Sequence, residues 1–258
     1  MRRGSRLGSD TLGEPMRGGL LVALFLLVAT PSAAAKITKE TLDVDGTKRT
    51  FYLLVSDKLQ DKAPLIVTLH GSGRDGKILL DHWKGLAEKE GIILAGPDAT
   101  ERQGWEGARD GPAFLYALVE HLKSKHAVDP RRVYLFGHSA GAIHGLGVGV
   151  LESEYFAAVA AHAGVLPQAY APYAKQAPRK IPLAIWVGTN DRFFPVNDVR
   201  QTRDALDSMG FPVGLTEIKG HTHDYYSRAS GINKEVWAFL QKHRLEADPK
   251  YQEYAINK

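Results

Sequence analysis

The residues most able to do chemistry are a serine, an aspartate and two histidines, each at the end of an apolar run. Ser139 lies in Gly137-His138-Ser139-Ala140-Gly141, between the run "RRVYLFG" and a small-residue helical stretch. A serine at the apex of a strand-to-helix turn presents its hydroxyl clear of the backbone, and flanking glycines are needed because a Cβ there would strike neighbouring chain. The bland alternative is a glycine-rich strand end. A serine is a weak nucleophile unaided, so this reading requires a base and donors for an oxyanion elsewhere in the chain.

The donors are sought in "LHGSGRDG", 69–76, a glycine-rich turn after an apolar run. The amides of Ser72 and Gly71 are the candidates there, with that of Ala140 after the serine. Asp191, in "GTNDRFFP", follows the run 181–188 and is the candidate acid. It could instead cap the next helix, a task for which Asp198 is also available. The run 213–220 leads into "HTHDYY", where His221 and His223 compete for the role of base. Strand-like alternation would put both on one face. His-x-His is also a zinc-ligand spacing, but the sequence offers no obvious third ligand. Either histidine satisfies the order Ser, Asp, His.

The elements that must position these groups are legible as a repeating pattern. Runs at 64–70, 91–98, 131–137, 156–164, 181–188 and 213–220 are short, and mostly apolar without alternation, as strands covered on both faces are. Helical periodicity fits 78–90, 113–126, 140–152, 197–209 and 232–243 between and after them. Strand and helix in alternation predict a doubly wound, mostly parallel α/β sheet with right-handed crossovers. Ahead of it, "ITKETLDV" and "KRTFYLLV" flank Asp45-Gly46-Thr47, which predicts an antiparallel hairpin at one edge. In such sheets the site gathers at the carboxyl ends of the strands. The segment 165–181 reads as a surface excursion, and the tail after Leu245 as loosely attached.

Arg17 followed by "GGLLVALFLLVAT" and "PSAAA" has the basic, apolar and small-residue parts of a secretory signal peptide, expected over 1–35 with cleavage after Ala35. The apolar run is short for a membrane-spanning helix, so no stable membrane anchor is expected and the catalytic domain is expected over 36–258. The chain of 258 residues carries a net charge of +4, falling to +2 without the leader. That is too little to argue for nucleic acid. With no cysteine, disulfides, thiolate metal sites and a thiol nucleophile are excluded.

Together these motifs resemble the α/β-hydrolase superfamily. More narrowly they resemble secreted esterases of the polyhydroxybutyrate depolymerase, feruloyl esterase and acetylxylan esterase type. The resemblance is carried by "LHGSG", "GPDA", "VDPRRVYLFGHSAGA", "FAAVAAHAG", "GTND" and "HTHDYY…INKEVWAFL", over roughly 47–243. It implies two-step acyl transfer without a cofactor, on a small-molecule or polymeric ester. Ser139 would be the nucleophile, Asp191 the acid, and Ala140 and Ser72 the oxyanion amides. Members with Gly-Gly-His-Thr-Trp favour His221 as base and those with His-x-Tyr-Tyr favour His223, which is preferred here. Two departures stand out: Asp110-Gly111-Pro112 replaces an Asp-Val-x-Phe helix start, and no second domain for adhering to solid polyester is read.

A peptidase of the prolyl-oligopeptidase type shares fold and triad but carries a gating domain not read in this sequence. A non-catalytic binding protein on the same scaffold is the third reading, disfavoured by the completeness of the catalytic set. Trp105, Phe193 and Tyr225 are candidates for the substrate pocket, against the ordinary alternative of aromatic packing.

Overall fold

A computed structural model describes residues 35–59 and 61–254. Apart from Ala35, the expected signal peptide lies outside the described residues. Eight strands form one sheet in the order β1-β2-β4-β3-β5-β6-β7-β8. The hairpin of β1 (Thr38–Val44) and β2 (Thr47–Leu54) forms one edge, with β2 antiparallel to β4 (Ile93–Pro97). Asp45 and Gly46 both have positive φ, 51° and 77°, as a two-residue turn matching the strand twist requires. From β4 onward, β3 (Ala63–Leu69), β5 (Val128–His138), β6 (Ala158–His162), β7 (Leu183–Gly188) and β8 (Val213–Ile218) pair in parallel.

The unbroken apolar character of the central strands follows from burial on both faces. In β5, Val133 and Leu135 face one core, while Tyr134 and Phe136 face the other. The first core receives α3 (Pro112–Lys125), α4 (Ala140–Leu151) and α6 (Val196–Ser208), following the short α2 (Gly107–Asp110) in the chain. The second receives α1 (Gly76–Glu90) and α7 (Ala229–Leu240), whose Leu79, Leu80, Trp83, Val236 and Trp237 are buried. Between β6 and β7 the excursion holds a 3-10 turn and α5 (Ala171–Gln176).

The tail departs from expectation, since over 245–254 it is bound rather than loose. Arg131 donates to the carbonyls of Leu245 and Glu246, and Leu245 N–H donates to the Arg131 carbonyl. Asp129, buried in the same "VDPRR" lead-in, holds the backbone of Arg131 and the side chain of Arg132. Further on, Glu152 accepts from the amides of Gln252 and Tyr254, and Tyr251 stacks on Tyr116 at 4.0 Å. Contacts with residues distant in sequence, which local polarity does not announce, hold this segment.

Candidate active site

Ser139 stands between β5 and α4 with φ 57° and ψ −120°, a conformation that costs a non-glycine residue of order 1 kcal/mol or more. Its neighbours permit the turn. A Cβ on Gly137 would lie 2.1 Å from the Gly141 carbonyl oxygen, and one on Gly141 would lie 2.0 Å from that of Leu69. The backbone is also tied sideways, Ser139 N–H donating to the His162 carbonyl at 3.0 Å.

His223 brings the catalytic candidates together. Its Nε2 lies 2.9 Å from Ser139 Oγ and its Nδ1 lies 2.9 Å from Asp191 Oδ2. Asp191 follows β7 with its side chain fully buried, and its other oxygen accepts from the amides of Phe193 and Phe194, both at 2.9 Å. One oxygen therefore shapes the loop and the other orients the imidazole. Asp191 does not cap α6, whose first turn contains Asp198. With Nδ1–H directed at a carboxylate, His223 keeps Nε2 free to accept a proton from Ser139.

His221 is placed differently from its neighbour. β8 ends at Ile218, so both histidines sit in a loop and the expected alternation on one face is absent. The His221 ring is buried, with Nε2 3.2 Å from His162 Nε2, while its carbonyl accepts from Asn190 N–H at 2.9 Å. The two rings thus face different partners. Among the described residues no group of three or more potential ligands is arranged to hold a metal.

Around Ser139 opens a cleft of about 930 Å³. Gly71 and Ser72 line one side, and the loop runs so near the serine that a Cβ on Gly71 would sit 3.2 Å from that of Ser139. Ala140 is the first residue of α4, so its amide has no acceptor within the helix, and the positive end of the helix dipole lies at the serine. These amides can receive negative charge on a substrate oxygen.

Of the aromatic candidates, Phe193 lines the cleft, 76% exposed, with its ring 4.8 Å from His223. Trp105 does not line it, a correction to the expectation from sequence. Its indole donates to the His70 carbonyl at 2.9 Å and stacks on His144 at 5.0 Å, behind the 70–72 loop. Tyr225 is also corrected, being wholly buried beneath His138 and bonded to Asn233, whereas the next residue, Tyr226, reaches the cleft. A 3-10 turn at Tyr225–Arg228 begins there, so the period-two reading of "HTHDYY" fails.

The support behind the cleft goes beyond what the motifs announce. His70 accepts from Ala99 N–H at Nε2 and pairs with its neighbour's carbonyl at Nδ1, which fixes the neutral tautomer, and burial lowers its pKa. Asp110, fully buried, accepts from Arg49 at 2.5 Å, from the Thr100 hydroxyl and from the amides of Thr100 and Glu106. His144, lowered to about 4 by burial, pairs with the Asp110 carbonyl and carries Trp105. The departure at Asp110-Gly111-Pro112 thus retains the buried carboxylate, and Pro112 begins α3, where its missing N–H costs nothing.

This strand order, with a strained serine between β5 and α4 and an acid and a histidine after β7 and β8, defines an α/β-hydrolase fold. The chain belongs to the dienelactone hydrolase family, whose sequence model matches residues 98–250. It is similar to a bifunctional acetylxylan esterase/xylanase of Neocallimastix patriciarum, 28% identical over 57% of this chain and 22% of that one. It is also similar to feruloyl esterase B of Neurospora crassa, 27% identical over 61% of this chain and 58% of the relative. The chain therefore spans less than two thirds of either relative. Among solved structures, a ferulic acid esterase superposes with a TM-score of 0.68, at 17% identity, covering 81% of this chain and 98% of the other. Among the described residues no helix is long and apolar enough to cross a membrane.

Proposed function

We propose that this chain is a serine carboxylic ester hydrolase that works by acyl transfer through Ser139, His223 and Asp191. The observation that carries the reading is the single imidazole within 2.9 Å of both Ser139 Oγ and the buried Asp191 carboxylate. His223 takes the hydroxyl proton as Oγ attacks the ester carbonyl, and the resulting oxyanion accepts from the amides of Ala140 and Ser72, with Gly71 beside them. The protonated His223 then passes that proton to the departing alcohol, leaving an ester on Ser139. Water attacks this acyl group with His223 again as base, the acid departs and the serine is restored. Asp191 holds the tautomer and stabilises the transient imidazolium.

The substrates that this reading favours are short-chain, hydroxyalkanoate or plant-wall feruloyl and acetyl esters. The esterase relatives and the open, aromatic-lipped cleft support that range. The N-terminal pattern supports a protein exported through a signal peptide to the periplasm or the exterior.

Purified protein should hydrolyse p-nitrophenyl acetate, and Ser139→Ala should lower kcat by at least about 10³-fold. Comparison of methyl ferulate, acetylated xylan and hydroxybutyrate oligomers should then rank the natural esters. Activity indifferent to Ser139→Ala would refute the mechanism, and peptide turnover exceeding ester turnover would move the chain to the peptidases of this fold.

A further inference from the structure

Three histidines form a row that starts at the cleft wall with His138 and runs inward. His138 ends β5, His162 ends β6, and His221 lies in the loop after β8. His138 Nδ1 is 3.1 Å from His162 Nδ1, and His162 Nε2 is 3.2 Å from His221 Nε2. All three are buried, at 4%, 0% and 3% exposure. Each contact requires one N–H and one lone pair, and a neutral imidazole has one of each. His162 therefore donates at one nitrogen and accepts at the other, and the tautomers of the row are set together.

Burying three imidazoles is costly where β6 otherwise carries Ala158, Val159, Ala160 and Ala161. A satisfied polar row offers in exchange a fixed geometry. The segments that carry Ser139, Asp191 and His223 are attached to it. The His162 carbonyl accepts from Ser139 N–H, and the His138 ring lies 5.0 Å from that of His223. The His221 carbonyl accepts from Asn190 N–H, next to Asp191, and His221 precedes His223 by two residues. Just after His162 the chain turns through Ala163 at φ 55°, a strained position for alanine. Both ring nitrogens of His162 are engaged by the two neighbouring imidazoles.

We propose that His162 is a positioning residue that, through its Nε2 contact with His221, fixes the loop 219–224 so that His223 stands at bonding distance from Ser139. The inference rests on the assignment of Ser139 and His223 given above.

An asparagine amide reaches about as far as Nδ1 of histidine, and a glutamine amide about as far as Nε2. His162→Gln therefore keeps the contact with His221, while His162→Asn keeps only the one with His138. On p-nitrophenyl acetate, His162→Gln should retain kcat within about threefold, whereas His162→Asn should lose about 30- to 100-fold at near-constant KM. His221→Phe, which keeps a ring but not the bond, should match His162→Asn. Equal kcat in the two His162 variants, or wild-type kcat in His221→Phe, would overturn the inference. Loss of folding in every variant would overturn it too, by making the row a stability element. Ser139→Ala is measured alongside: activity that survives in it removes the underlying assignment, whereas activity lost in it upholds that assignment, and the other variants then decide the role of His162.

Discussion

The indole N–H of Trp105 donates to the carbonyl of His70, 2.9 Å away and one residue before Gly71 and Ser72. A tryptophan outside the cleft therefore holds the loop that would supply an oxyanion amide. Trp105→Phe keeps much of the ring stacked on His144 but leaves that carbonyl without its donor. Because losing a whole oxyanion donor costs about 10²- to 10³-fold, a loosened one should lower kcat about tenfold with little change in KM. Steady-state ester kinetics read both constants.

Behind that loop, Arg49 and Asp110 are a buried pair, with Arg49 also 3.6 Å above the Phe114 ring. Asp110→Ala leaves the guanidinium buried without its carboxylate and removes the acceptor for three other donors. The expected loss is about 3–5 kcal/mol, measured by urea unfolding.

Strain at Ser139 makes a prediction that opposes activity to stability. Both Ser139→Gly and Ser139→Ala should be inactive, but glycine accepts φ 57° and ψ −120° where alanine does not. The glycine variant should be more stable than the alanine variant by about 1 kcal/mol. Paired denaturation curves test this, and equal midpoints would show that the turn stores no strain.

Five buried histidines, His70, His138, His144, His162 and His221, are held below their ordinary value chiefly by burial, His138 at about 3 and His144 at about 4. Unfolded, each binds a proton near pH 6.5; folded, it resists one. Their contribution to stability is thus complete above pH 6.5 and is lost as pH falls from there toward the folded values, at most about 1.4 kcal/mol per histidine per unit. Glu152, raised by burial, has the opposite sign, but it is one group against five. Unfolding free energy should fall between pH 7 and pH 5, and a flat or rising profile would contradict these placements.

Much of this architecture is legible in the sequence because the signals are local. The apolar runs 64–70, 131–137 and 181–188 announce strands buried on both faces, and Gly137 and Gly141 announce a tight turn around Ser139. Side-chain direction after β8 is less legible, because two residues of unpaired loop separate β8 from His221 and period two no longer applies. Tyr225 is buried, and Tyr226 reaches the cleft, for the same reason. Trp105 and the tail depart from expectation through contacts remote in sequence: one side chain turns back to His70, and the backbone after Leu245 is tied to Arg131 and Glu152. His162 carries one usable signal, a histidine closing an otherwise apolar strand.

The most direct measurement is the site of covalent labelling by a fluorophosphonate, located by mass spectrometry of the digested protein. A serine activated by His223 should be phosphonylated at Ser139 in the wild type, much more slowly in His223→Ala, and not at all in Ser139→Ala. A protein that remains unlabelled while fully folded, or that is labelled at another residue, would contradict the assignment of Ser139 as nucleophile.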